Sequence, residues 1–152
     1  MKKLYLLGTR HYLPTNIPAD IQSAVNTIIE KCHPQAVLEE WTYSKAHESA
    51  RANICKPKLL PWRNIGTPDS EEFRTYGETH ALDFPTGANI QRYGPILNQI
   101  RREDAMRANI VAAMSSFDSA VVGIGVAHLH SMHEKLSSEF DVDAYAFGLE
   151  LS

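Results

Sequence analysis

Cysteine is scarce in this chain. Cys32 and Cys55 are the only two, they stand in unrelated contexts, and they form no Cys-x-x-Cys. That usage speaks against a disulfide framework and predicts reduced thiols in a cytoplasmic protein. Cys32 falls on the apolar stripe of a predicted helix, where a cysteine packs as a small hydrophobe. Long apolar runs are also missing, since no stretch approaches the roughly 18 residues of a membrane helix. The run after Met1-Lys2-Lys3 extends only from Leu4 to Leu7 before glycine and charge intervene, too short for a signal peptide. Charge of one sign is nowhere concentrated: the formal net charge is −3 with Lys and Arg scattered, which predicts neither a nucleic-acid nor a membrane partner. What remains is 152 residues, 43% hydrophobic and 22% charged, the size and composition of one domain that buries a real core.

The chain opens with the apolar run Lys3-Leu4-Tyr5-Leu6-Leu7, followed by Gly8-Thr9-Arg10-His11. Near the other end Ala120-Val121-Val122-Gly123-Ile124 leads to Gly125-Val126-Ala127-His128. Both segments read as a buried strand ending in Gly-x-x-His. Between strand one and the next apolar run, Ile21, Val25, Ile28, Ile29 and Cys32 recur at helical spacing, with Thr15 or Asn16 as cap and an end before Pro34. Ala36-Val37-Leu38-Glu39-Glu40 reads as a second strand. Strand, helix, strand in so short a span is a βαβ unit, whose right-handed crossover makes the strands parallel and opens their carboxyl ends on one rim.

Residues 41–95 lose periodicity and are punctuated by proline and glycine. Trp41 to Asn53 and Glu71 to Tyr76 offer short helices, and the whole segment reads as a lid-like insertion that covers the site and selects substrate. Ile96 to Phe117 is the longest helical pattern, with Arg101-Arg102-Glu103-Asp104 and Arg107 on its polar side. A helix follows from about Leu129, and Asp141 to Leu151 reads as a last strand at an edge. The fold class is α/β, a single domain over 1–152: a mainly parallel sheet with flanking helices, a βαβ start, and room for an antiparallel edge strand.

Ligands of such sheets bind beyond the carboxyl ends of the strands. Gly8 and Gly125 suit a sharp exit from the sheet and close approach of backbone to a ligand, and His11, His128 and the Glu39-Glu40 pair would share that rim. Two imidazoles and a carboxylate can ligate a divalent metal that makes hydroxide near neutral pH. Equally, a carboxylate can orient one histidine as a general base with no metal. A shared metal needs both rings within reach of ligand bonds of roughly 2.0–2.2 Å. His33, His47, His80, His130 and His133 receive no role, and Arg101-Arg102 is open to two readings, an exposed helix face or a guanidinium turned into the rim.

These patches resemble the TraB/GumN/TIKI group, within the wider erythromycin esterase-like and ChaN-like superfamily. Leu7-Gly8-Thr9-Arg10-His11 stands where that group has Leu/Val-Gly-Thr-x-His, and Pro34-Gln35-Ala36-Val37-Leu38-Glu39-Glu40 resembles its Pro-Asp-x-Val-x-x-Glu, which selects Glu40 over Glu39. Arg102-Glu103-Asp104-Ala105-Met106 is similar to its Glu-Arg-Asn/Asp-x-x-Met segment, and Val122 to Leu129 to its Val-Gly-x-Gly-His-Leu region with one residue added. Arg101 and Glu103 depart from the pattern, and the middle of the chain is unmatched. The resemblance implies a divalent-metal-dependent hydrolase using manganese, cobalt or zinc, which cleaves an amide or ester of a small molecule or peptide. His11, Glu40 (or Glu39) and His128 would build its site, with Arg102 stabilising charge. Relatives in the wider group imply two alternatives, a metal-independent His/Glu esterase and a haem-binding module without turnover.

Overall fold

The computed structural model describes residues 1–9, 17–40, 43–44, 49–50, 60–66 and 102–147. Its elements in chain order are β1 (Lys3–Thr9), α1 (Ala19–Cys32), β2 (Ala36–Glu39), β3 (Tyr43–Ser44), β4 (Ser49–Ala50) and β5 (Trp62–Asn64). Then come a helix over 102–113, here α2, and β6 (Ser119–Gly125). A 3-10 turn at Val126–His128 leads into α3 (Leu129–Leu136), and β7 (Asp141–Ala146) follows.

The strands that read as continuous apolar runs are the inner ones. Five strands pair in the order β5-β2-β6-β1-β7, all parallel, so the expected α/β architecture holds. β7 is an edge strand as expected, but it pairs in parallel with β1, so the antiparallel edge for which the sequence left room is not found there. The connection through α3 explains why, because a helical crossover returns the chain to the start of the sheet. Side chains alternate between the two faces of the sheet. Leu4, Leu6, Leu38, Ala120, Val122 and Ile124 pack with Met106 and Ile110 of α2, Met114 just after it, and Met132 and Leu136 of α3. Leu7, Val37 and Val121 face Val25 and Ile29 of α1 on the other side.

α1 begins after Pro18, whose carbonyl accepts from the Gln22 amide at 3.0 Å. Asp20 in its first turn and Lys31 in its last complement the helix dipole. It stops at His33, held in the left-handed region (φ 46°) ahead of Pro34. The cap expected at Thr15 or Asn16 lies outside the described residues.

Within 41–95 the structure departs from expectation in two places. Tyr43–Ser44 and Ser49–Ala50 form a two-stranded antiparallel pair where a helix was expected, in keeping with the strand preference of Thr42 and Tyr43. Trp62–Asn64 belongs to the main sheet, alongside β2. At three residues it is too short to show a period, and Pro61 before it suits an edge. The helix expected at Glu71 to Tyr76 lies outside the described residues.

Candidate functional site

The topology fixes where a ligand would enter. From β1 the chain crosses over one face through α1 to β2, and from β6 it crosses over the opposite face through α3 to β7. β1 and β6 are neighbours, so their carboxyl ends part in opposite directions, and such a switch point opens a crevice in α/β sheets. The two Gly-x-x-His segments leave from this place: Gly8 is registered against Ile124 and Thr9 against Gly125. His11 itself lies outside the described residues.

Gly8 is needed at the crossing. A Cβ there would stand 3.0 Å from Leu129 Cδ2 and 3.2 Å from its Cβ, so the glycine lets the start of α3 press against the sheet. Gly125 has an extended backbone, φ −62° and ψ 136°, and donates its amide to Glu40 Oε2 at 2.9 Å. The close approaches at these two glycines are thus to Leu129 and to Glu40.

Among the described residues five polar or charged ones are buried: Thr9, Glu39, Glu40, Glu103 and His128. Thr9, Glu39 and Glu40 close β1 and β2, and His128 follows β6. Glu103 stands near the amino end of the described part of α2, and Met114, just past its other end, is tied to Lys2 at the opposite edge of the sheet. All five therefore gather at one rim. Burying a carboxylate without a partner costs several kcal/mol, and each of the three here is paired.

Glu39 and Glu40 part company. Glu39 follows the alternation of Val37 and accepts from Trp62 Nε1 at 2.9 Å, on the α1 side of the sheet. Glu40 is on the α2 side. Its Oε2 takes the Gly125 amide, its Oε1 lies 3.4 Å from Arg102 Nη2, and its own amide donates to the Gly123 carbonyl at 2.7 Å. Arg102 is thus turned into the rim, with a side chain 11% exposed.

At the next residue of α2, Glu103 Oε2 lies 2.8 Å from His128 Nδ1. Ser131 Oγ donates to Glu103 Oε1 at 2.6 Å, and Lys135 Nζ lies 3.5 Å from the same oxygen and 3.2 Å from Asp104 Oδ1. A carboxylate against Nδ1 places the proton there, which makes Nε2 the basic nitrogen. Among the described residues Nε2 has no hydrogen-bond partner. His130 is exposed and pairs with Glu134 on the surface.

The sequence placed Glu103 on the polar side of its helix, and the structure corrects that: it is 3% exposed. A signal existed, because Glu103, Met106 and Ile110 fall at i, i+3 and i+7, so the carboxylate continues the apolar stripe. Ser131 and Lys135 fall at i+3 and i+7 from His128 in the same way. Trp62 gave no comparable signal.

No family model, no curated protein and no solved structure matches this chain. Its chemistry rests on its own atoms. Among the described residues no three His, Cys, Asp or Glu side chains are grouped so as to hold a metal ion. The donor set shows why: Glu39 is on the far face, and both oxygens of Glu40 are engaged by a guanidinium and an amide. His128 Nε2 is the one atom of the expected set, among the described residues, that suits a ligand. No helix among the described residues is long and apolar enough to cross a membrane.

Proposed function

We propose that the protein is a hydrolase in which His128 is the general base and Glu103 its orienting carboxylate, acting on an ester or amide of a small molecule or peptide. The observation that carries this reading is the buried contact of 2.8 Å between Glu103 Oε2 and His128 Nδ1 at the switch point of the sheet. A histidine oriented at one nitrogen by a carboxylate, with the other nitrogen unengaged among the described residues, is an arrangement suited to general-base catalysis. The resemblance of the His128, Glu40 and Arg102 segments to a hydrolase-containing superfamily supports the same class.

In this reading His128 Nε2 takes a proton from water, and the hydroxide adds to the carbonyl carbon. Glu103 stabilises the imidazolium that forms. Arg102, steered by Glu40, offers positive charge to the developing oxyanion. Collapse of the tetrahedral intermediate breaks the C–O or C–N bond, and the imidazolium returns its proton to the leaving group. No step needs a metal.

With 4-nitrophenyl acetate as probe, His128→Ala lowers the rate about 10²- to 10⁴-fold, the usual worth of a general base. Far-UV circular dichroism stays unchanged, and wild-type activity survives EDTA. Wild-type rates in His128→Ala would overturn the reading. One observation favours a second, metal-dependent form: a histidine whose Nδ1 meets a carboxylate is also how metal-ligating imidazoles are held. Mass spectrometry of untagged protein together with loss of activity in chelator distinguishes that form.

A further inference from the structure

We infer that Ser131 and Lys135 are positioning residues for His128, acting through Glu103. The inference builds on the assignment of His128 as base and adds what makes the ring a base at one nitrogen only. Glu103 lies buried between two elements, on α2 and facing α3. The plane of a carboxylate is set by the donors it meets, and a neutral carboxyl there would donate a proton to Nδ1 instead of accepting one. Ser131 acts on the first of these and Lys135 on the second.

The Ser131 hydroxyl donates to Oε1 at 2.6 Å, which fixes the carboxylate plane and leaves Oε2 directed at Nδ1, 2.8 Å away. The Lys135 ammonium, 3.5 Å from Oε1, favours the ionised form of the acid. It is held there by Asp104 at 3.2 Å, the residue after Glu103. His128, Ser131 and Lys135 form one stripe at i, i+3 and i+7, so the turn and helix that carry the ring also carry both groups that hold its partner. His128 is thereby locked as the Nδ1–H tautomer with Nε2 presented to the rim.

Imidazole nitrogen-15 NMR of the full-length protein tests this directly. Wild-type His128 should give the Nδ1–H pattern, and Ser131→Ala and Lys135→Met should each move the signals toward a mixture of tautomers. Hydrolysis of 4-nitrophenyl acetate should fall about tenfold or more in each, the rate equivalent of one hydrogen bond to a charged group. Ser131→Thr and Lys135→Arg, which keep the hydroxyl and the charge, should restore both readouts and guard against a variant that merely unfolds. A wild-type ring protonated at Nε2, or an Nδ1–H pattern unchanged in both Ser131→Ala and Lys135→Met, would overturn the inference whatever the hydrolysis does. Tautomer changes as expected, with His128→Ala still hydrolysing at the wild-type rate, would uphold the positioning and sink the hydrolase reading alone.

Discussion

At the scale of single residues, the tightest constraint is the missing side chain at Gly8. Gly8→Ala drives a methyl into Leu129 and should cost about 1–3 kcal/mol, the usual range for overpacking. Urea denaturation measures it, and Leu129→Ala in the same background should recover part of the loss. His33 lies at φ 46° without being glycine. His33→Gly removes the clash of its Cβ at the price of backbone entropy, and a net gain of about 0.5–1 kcal/mol is expected from the same titration. At Cys32, burial pushes the thiol above its ordinary value of 9.0, with Asp143 adding to the effect and Lys3 opposing it. The folded state thus favours the neutral thiol. That contribution to stability is fully present below the unfolded value and is lost as pH rises through the folded one. Iodoacetamide labelling followed on the Cys32 peptide should therefore trail a free cysteine at about pH 8 and catch up only in stronger alkali.

Between elements, the bond of β2 to α2 rests on Glu40 and Arg102. Glu40→Ala removes the buried acceptor shared by the Arg102 guanidinium and the Gly125 amide, so it should cost about 3–5 kcal/mol. The double change with Arg102→Met should cost less than the sum of the singles, a coupling that a thermodynamic cycle reads directly. The same elements indicate what was legible in advance. β1, α1, β2, β6 and α3 carried enough consecutive apolar or periodic residues for type and approximate bounds to be read, and the parallel pairing followed from the crossovers. β5 was not legible because three residues hold no period. The burial of Glu103 was missed for a different reason: a charged residue on a helix is usually solvated, and the partners that make its burial tolerable, His128, Ser131 and Lys135, stand 25 or more residues later. The preference for Glu40 over Glu39 as a site residue came from the likeness of one segment to a known pattern; the sheet alternation puts the two carboxylates on opposite faces.

For the whole molecule, the strand order has a consequence in time. β1 touches β6 and β7, and β2 touches β5 and β6, so the two strands made first are not neighbours. A slot stays open between them until β6, separated from β1 by most of the sequence, arrives to fill it. Such long-range closure slows folding, and exposed strand edges invite association meanwhile. On the ribosome, the first βαβ unit should therefore stay protease-sensitive until residues 119–125 have left the exit tunnel, and a fragment ending at Asp118 should be aggregation-prone. Arrest of translation at successive lengths, followed by limited proteolysis, would reveal a single late step in protection rather than a gradual rise. The central strand that carries one half of the rim is thus also the keystone of assembly, and the contact of Glu103 with His128 cannot exist on the nascent chain before it is laid.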